Sequence, residues 1–240
     1  RPCPAPQCAA AKAVGVAVTF PAGVVADEVT PGVGVGPVVA AFRPAAVAIL
    51  GAVVPPGDGD MHESLLTQGV RWWRHRWMDE RAAERAVPPA LAEQLQARVN
   101  ASEARHSGEI VLCVEAALPN SDLWRAGRET PLPAVIRERA LSWFGKQRVW
   151  DTEHNNGVLI YLLLAERRVE IVADRGISRH VPDAHWQAVV QHLGEHLLTG
   201  DFDSGLTQAL QEVSALLVQH FPLQPGEANP NELSNRVIWA

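Results

Sequence analysis

A continuous run of apolar residues at 158–164 predicts a β-strand that is buried on both faces, because a strand with one face in water would alternate apolar and polar residues. The charged triplet Glu166-Arg167-Arg168 follows, and residues 169–173 are again mostly apolar. Two apolar runs joined by a short charged turn are typical of a β-hairpin. We therefore predict two antiparallel strands in the middle of a sheet.

The segment before the hairpin predicts a parallel partner strand. Residues 110–118 are apolar enough for a first strand, and an amphipathic helix is expected after Pro133. The inward positions of that helix are Ile136, Ala140, Trp143 and Phe144. Strand, helix and strand form a crossover unit, so the strands at 110–118 and 158–164 should be parallel.

Three more amphipathic helices are predicted, the first opening at Pro88-Pro89 and the others capped by Asp183 and by Asp203 or Ser204. Their apolar stripes are Leu91, Leu95 and Val99; Trp186, Val190, Leu193 and Leu197; and Leu206, Leu210, Val213 and Leu217. We expect residues 88–222 to form a three-layer α/β/α domain with a small mixed sheet that contains one antiparallel hairpin. Residues 223–240 would be a C-terminal tail.

The predicted topology gathers polar residues at one edge of the sheet, because the hairpin closes on itself and the first strand begins beside it. The residues expected there are Glu109, Asp151, Glu153, Asn155, Asn156, Asp174 and Arg175. Carboxylate and amide oxygens are the ligands that Ca²⁺ and Mg²⁺ prefer. The alternative interpretation is a turn that feeds a strand and an aspartate that caps a loop.

Residues 61–87 predict a basic, aromatic, amphipathic helix. One face carries Leu66, Val70, Trp73 and Trp77, with Arg71, Arg74, His75 and Arg76 around it. Tryptophan and arginine together suit a membrane interface or the groove of a membrane-associated protein. A surface helix whose tryptophans pack on the domain is the alternative interpretation.

The composition changes sharply at Met61. All eight tryptophans and all nine histidines lie after residue 60, whereas residues 1–60 consist mainly of Ala, Val, Gly and Pro. Prolines cut each apolar run there below the length of a membrane-spanning helix. We expect residues 1–60 to form no part of the core, either as translated sequence ahead of a start at Met61 or as a poorly ordered natural extension.

Charge and motifs exclude several classes of protein. A net charge of −6 gives no general reason to bind nucleic acid. Neither a P-loop nor a Gly-x-Gly-x-x-Gly motif occurs, so no nucleotide or organic cofactor is expected. Cys113 lies in a strand pattern, and Cys3 and Cys8 lack partners at zinc spacing. Without a signal peptide or a spanning segment after Met61, a cytoplasmic location is expected, peripheral at the inner membrane face if the 61–87 helix docks there.

A zinc-protease motif is a remote alternative. His192-Leu-Gly-Glu-His196 matches the H-x-x-E-H pattern, which places two ligands one helical turn apart. Gly194 interrupts the helix between them, and no acidic helix is obviously arranged to give a third ligand. We expect these histidines to lie on the flank of a helix.

The segment at 155–177 reads NNGVLIYLLLAERRVEIVADRGI and resembles the hairpin of the TPM domain family. The resemblance continues through SGEIVLCVEAAL and RERALSWFGKQRVWDTEHNNG before the hairpin, and through VPDAHWQAVV and LLTGDFDSGLTQALQEV after it. It covers roughly residues 88–222, and the closing NELSNRV resembles the tail of a short bacterial branch of the family.

The resemblance implies binding of a divalent cation and a weak acid phosphatase activity. The candidate cation ligands are then Glu109, Asp151, Asn155, Asn156 and Asp174, and the candidate phosphate-binding residue is Arg175. Many relatives have an Asp-rich segment before the first helix, where this chain reads ERAVPPALAEQL. No nucleophile or general base is positioned by the sequence. We therefore expect a non-catalytic cation-binding or interaction module for membrane-protein assembly or quality control, with a metal-dependent phosphatase as the alternative.

Overall fold

The computed structural model of the protein describes residues 12–17, 65–79, 81–126, 130–224 and 232–240. The side chains of residues 12–17 and 65–68 are not part of that description. Cys3 and Cys8 lie outside the described residues, so the structure does not bear on a zinc site there.

Five strands form one mixed sheet, in the order β1-β4-β3-β2-β5. They are β1 (Lys12–Ala17), β2 (Ile110–Glu115), β3 (Val158–Leu163), β4 (Arg168–Ala173) and β5 (Ile238–Trp239). The hairpin is confirmed, because β3 pairs antiparallel with β4 in a register that joins Val158 to Ala173. The crossover is confirmed as well, since β2 and β3 are parallel.

Eight helices are described around the sheet. They are α1 (Leu65–Trp77), α2 (Ala82–Ala86), α3 (Pro89–Glu103), α4 (Asn120–Arg125), α5 (Leu132–Lys146), α6 (Arg175–Ser178), α7 (Asp183–Leu198) and α8 (Phe202–His220). The long helices begin close to where the sequence placed them. The capping residues differ, because Pro182 precedes α7 and the side chain of Asp201 accepts from the amide of Ser204 at the start of α8.

Each face of the sheet is covered by helices, as predicted for three layers. Ile110, Leu112 and Val114 point into a core with α3, α7 and α8. Val111 and Cys113 alternate with them and point to α5 on the other face. All six residues of β3 are buried, which explains why the strand shows no polar alternation.

Residues 61–87 do not form a single helix. Within the described residues, α1 ends at Trp77 and α2 begins at Ala82. Between them, the side chain of Asp79 accepts a hydrogen bond from the amide of Arg81 and another from the guanidinium of Arg85. An aspartate that bonds its neighbours' amides favours a turn over a helix interior, so the chain bends here.

The prediction that residues 1–60 take no part in the core is wrong for residues 12–17. They form β1, which pairs antiparallel with β4 along its whole length. Without β1, the backbone N–H and C=O groups on the outer side of β4 would be an unpaired sheet edge. The rest of residues 1–60 lies outside the described residues, and the prediction stands untested there.

The C-terminal segment is part of the fold and not a detached tail. Residues 238–239 form β5, which pairs in parallel with β2. The amide of Ala240 donates to Val114, and the indole of Trp239 donates to the carbonyl of Val87. The chain terminus therefore covers the edge of the sheet opposite to β1.

A buried carboxylate, Glu115, ties α5 to the sheet. It accepts hydrogen bonds from the Arg139 guanidinium at 2.5 Å, from the Tyr161 hydroxyl at 2.6 Å and from the Trp143 indole at 3.0 Å. A buried charge is tolerated when a partner charge and further hydrogen bonds satisfy its oxygens. Glu115 meets that condition and fixes the position of α5 along β2.

Glu170 on β4 is a buried carboxylate with far less support. It is paired across the strands with Tyr161, and its nearest cation is Arg137, whose Nε lies 3.9 Å from Oε2. That oxygen has no hydrogen-bond partner among the residues described here. Burial raises the pKa of Glu170 from 4.5 to about 7, although Arg137 and Arg168 oppose the shift.

Replacing Glu170 with glutamine should make the protein more stable at pH 8 and change little at pH 4.5. Between 4.5 and about 7 the folded protein holds a proton that the unfolded chain has lost, so wild-type stability falls as the pH rises. Full ionisation would remove at most about 3 kcal/mol. Urea unfolding from pH 4 to 8 tests this, with the exposed Glu93→Gln as control. Parallel curves for wild type and Glu170→Gln would contradict it.

Candidate functional site

Three chain segments meet at one edge of the sheet, as the topology predicted. The amide of Val158 donates to the carbonyl of Glu109 at 2.8 Å, and the amide of Asp174 donates to the carbonyl of Gly157 at 2.9 Å. The start of β2, the start of β3 and the end of β4 therefore lie side by side. We call this region the sheet-edge site.

The turn at Asn155 packs directly on the start of α6. Asn155 has a left-handed backbone, with φ of 52°, which asparagine tolerates better than most residues. Its carbonyl accepts a hydrogen bond from the amide of Gly176 at 2.8 Å. A Cβ on Gly176 would lie 2.3 Å from the carbonyl oxygen of His154, so this contact requires glycine.

Arg175 is held inside the sheet-edge site. Its guanidinium donates to the Asn155 side-chain oxygen at 2.6 Å. This bond occupies the amide oxygen that Asn155 was expected to offer to a cation. The half-buried guanidinium remains available for an anion at the same edge.

Asn156 is fully buried and links two segments. Its side-chain nitrogen donates to the hydroxyl of Ser107 at 3.1 Å. Its backbone N–H donates to the hydroxyl of Thr152 at 3.1 Å. Its side-chain oxygen has no partner among the described residues. A buried acceptor of this kind is unusual in folded proteins.

Asp174 is a buried carboxylate that caps α6. One oxygen accepts from the amide of Arg175 at 2.6 Å, and the other has no hydrogen-bond partner within the described residues. Burial raises the pKa of Asp174 from 3.8 to about 6, against the hydrogen bond and charge of Arg175. The carboxylate is therefore ionised at neutral pH but destabilised by its surroundings.

Glu109 is directed into a different network. Its Oε1 accepts from the backbone amide of Glu232 at 3.2 Å, and its buried Oε2 has no hydrogen-bond partner among the described residues. Burial and the charge of Glu109 raise the pKa of Glu103 to about 8, and burial also raises the pKa of Glu109. The side-chain nitrogen of Asn235 donates to the carboxyl group of Glu103 at 2.5 Å.

Asp151 and Glu153 are exposed. Asp151 forms an ion pair with Arg148, and the backbone amide of Glu153 donates to Glu232 at 3.2 Å. In the part of the chain that the structure describes, no group of three or more His, Cys, Asp and Glu side chains is placed to hold a metal ion. Of the predicted ligands, Glu109, Asn156 and Asp174 have buried oxygens without a hydrogen-bond partner among the described residues, and such oxygens suit a hard cation.

The H-x-x-E-H histidines contact the neighbouring helix. Nδ1 of His192 lies 2.9 Å from Glu212, and Nε2 of His196 lies 3.0 Å from Gln208, both on α8. Gly194 is buried within a continuous α7. These contacts give both histidines a structural role between two helices.

Glu166, in the β3–β4 turn, fixes the position of α1. The same carboxylate oxygen lies 2.7 Å from Nε2 of His75, 2.9 Å from Nη2 of Arg74 and 3.5 Å from Nε of Arg71. The amide of Leu118 donates to Nδ1 of His75 at 2.9 Å, so the proton of the neutral ring lies on Nε2 and points to Glu166. Burial would raise the pKa of Glu166, but His75 and the two arginines outweigh it and lower the pKa.

Of the two interpretations of the 61–87 helix, the one in which its tryptophans pack on the domain is wrong for Trp73 and Trp77. Arg71 and His75 are buried against the domain, whereas Val70 and Trp73 are each 60% exposed and Trp77 is 73% exposed. The physical reason is Glu166, because a buried carboxylate needs cationic or hydrogen-bonding partners and α1 supplies them. The side chain of Leu66 lies outside the described part.

The outward face of α1 is aromatic and basic. The rings of Trp73 and Trp77 stack with centroids 5.1 Å apart, and Trp72 is 43% exposed beside them. Arg74 and Arg76 are exposed on the same helix. We call Val70, Trp72, Trp73, Arg76 and Trp77 the α1 surface. The sequence pattern placed Val70, Trp73 and Trp77 on one face of the helix, and their exposure shows that this face points to solvent.

The family model for the TPM domain matches residues 84–216, which is more than half of the 240 residues. The chain belongs to the TPM domain family. The matched region contains the residues of the sheet-edge site, whereas α1 and β5 lie outside it.

One solved structure shows the same fold. It is the NMR structure of the BA42 protein from the psychrophilic bacterium Bizionia argentinensis, with 22% sequence identity and a TM-score of 0.52. The similarity covers 63% of this chain and 94% of that one, and it supports the fold alone. A search of curated proteins gave no match.

Proposed function

We propose that this TPM domain protein is a non-catalytic module that docks on an anionic membrane surface through α1. The observation that carries the proposal is the orientation of that helix, with Trp73 and Trp77 exposed and Arg71 and His75 turned to Glu166. Assembly or quality control of membrane proteins is the process that the family resemblance suggests for such a module.

The chemistry of the α1 surface suits the boundary between lipid headgroups and acyl chains. Tryptophan has an apolar body and one N–H donor, so it is favoured where one end of the ring is dry and the other wet. An arginine near an anionic surface contributes about 1 kcal/mol of attraction. No helix in the described part of the chain is long and apolar enough to cross a bilayer. The proposed contact is therefore with the surface.

The contact between α1 and the domain makes the surface rigid before it binds. Glu166 is 7% exposed at its side chain, and the buried ring of His75 bridges it to the backbone of Leu118. A helix that is already folded and oriented loses less conformational entropy on docking.

Changing Trp73 and Trp77 together to alanine should weaken binding to vesicles by at least about tenfold, because each large apolar side chain contributes about 1.5–3 kcal/mol on full burial. Co-sedimentation with phosphatidylglycerol–phosphatidylcholine vesicles measures this. Trp124→Ala is the matched control, since Trp124 is 59% exposed on α4. Equal loss in Trp124→Ala, or no vesicle binding by wild type, would contradict the proposal, and the second result would favour a protein partner.

A second candidate function is binding of one divalent cation at the sheet-edge site. It is favoured by the buried side-chain oxygens of Asn156 and Asp174 that have no hydrogen-bond partner among the described residues. Both are hard oxygen donors, as Ca²⁺ and Mg²⁺ require, and water would supply the remaining ligands. Such an ion would also favour the ionised form of Asp174, which burial now disfavours.

Phosphatase activity has less support from this geometry. A hydrolase needs a nucleophile or an activated water in addition to a cation. The hydroxyl of Ser178 donates to the carbonyl of Asp174, and that of Ser107 accepts from Asn156. Arg175 could neutralise a phosphoryl group, but the neighbouring hydroxyls are engaged in structural contacts.

Calcium and magnesium titrations followed by calorimetry should give saturable binding that Asp174→Asn abolishes and Asp151→Ala leaves within about twofold. The asparagine keeps the cap on α6 while removing the charge, and Asp151 is the exposed carboxylate paired with Arg148. A phosphatase assay run on the same samples should show no metal-dependent turnover. Turnover that is lost in Asp174→Asn would establish the enzyme instead, and loss of binding in Asp151→Ala would place the ion elsewhere.

A further inference from the structure

A groove between α3 and α8 has a lining suited to an anion. Its volume is about 230 Å³. The polar lining residues are Arg98, Ser102, Arg105, Thr207, Gln211 and Ser214. None of the lining residues carries a carboxylate, although the protein has a net charge of −6. The groove is thus a locally cationic surface on an acidic protein.

Two arginines line the groove near the end of α3. Arg98 lies on the last two turns of the helix, and Arg105 lies in the turn that follows it. Neither forms an ion pair with any residue that the structure describes. Two arginines that form no ion pair within the described part of the chain therefore border the same opening.

The contacts of Arg105 leave N–H and O–H donors available in the groove. Its Nη2 donates to the hydroxyl of Ser214 at 3.0 Å. Because that hydroxyl accepts from Arg105, its own hydrogen can be donated to an anion. The hydroxyls of Ser102 and Thr207 donate to Val99 and Asp203, so they add little. Arg98, Arg105, Gln211 and Ser214 supply the free donors.

We propose that this groove binds a phosphate-bearing ligand. Arginine matches the oxygens of phosphate with two parallel N–H donors, and a hydroxyl and an amide complete the set. The volume is below the roughly 300–1,000 Å³ of pockets for drug-sized ligands, so the ligand is a phosphate group with a small substituent. The site is separate from Arg175 and from the α1 surface.

NMR titration of the full chain with inorganic phosphate, and separately with soluble short-chain phosphatidic acid, tests the proposal. We expect saturable shifts at residues of α3 and α8 in at least one of the two titrations. Arg98→Gln and Arg105→Gln should each weaken binding at least tenfold. Arg81→Gln, an exposed arginine outside the groove, should leave it unchanged.

A further variant distinguishes loss of binding from loss of folding. Gln211→Glu places a carboxylate in the groove at an exposed position, and it should weaken binding as strongly as Arg98→Gln without lowering the melting temperature. Saturation by inorganic phosphate would assign a soluble phosphate ligand, and saturation only by the lipid would assign a headgroup. Failure of both ligands, or equal binding by wild type and Gln211→Glu, would overturn the proposal. Either outcome is independent of vesicle binding through the tryptophans.

Discussion

Every side chain of β3 is buried, so the β3–β4 hairpin requires a layer of helices on each of its faces. One layer is α5, and the other consists of α3, α7 and α8. The two ends of the hairpin then position the two regions for which a function is proposed. Its open end carries Asp174 and Asn156 at the sheet-edge site, and its turn carries Glu166, which positions α1. The apolar β3–β4 hairpin thus determines where the polar residues of both regions lie.

The buried carboxylates differ in how far hydrogen bonds and opposite charges satisfy their oxygens. Glu115 and Glu166 each accept from cations and neutral donors, so they fix α5 and α1 in place. Asp174 and Glu170 each have an oxygen without a partner among the described residues, and burial raises the pKa of both. An unsatisfied buried acceptor either costs stability or has a ligand to bind. Glu170, beneath α5, fits the first description, and Asp174, at the sheet-edge site, fits the second.

The sequence was sufficient to predict elements that depend on local periodicity. The hairpin, the parallel crossover and the convergence of Glu109, Asn156 and Asp174 segments at one edge followed from apolar runs and handedness. It was not sufficient for α1, because helical periodicity shows which residues share a face but not which face meets the domain. Glu166 decides that question through tertiary contacts. Similarly, β1 lies in a segment whose composition differs from that of the domain, and only pairing with β4 gives it a place in the sheet.

The outward orientation of the α1 tryptophans is the central claim, and the exposure of single rings to solvent tests it most directly. Fluorine NMR of protein labelled with 5-fluorotryptophan, recorded in H₂O and in D₂O and assigned with single tryptophan replacements, reports exposure ring by ring. Trp73 and Trp77 should show the large isotope shifts of exposed rings, whereas the buried Trp186 should show none. Small shifts at Trp73 and Trp77, like that of Trp186, would mean that α1 packs its tryptophans on the domain, and the proposed docking surface would not exist.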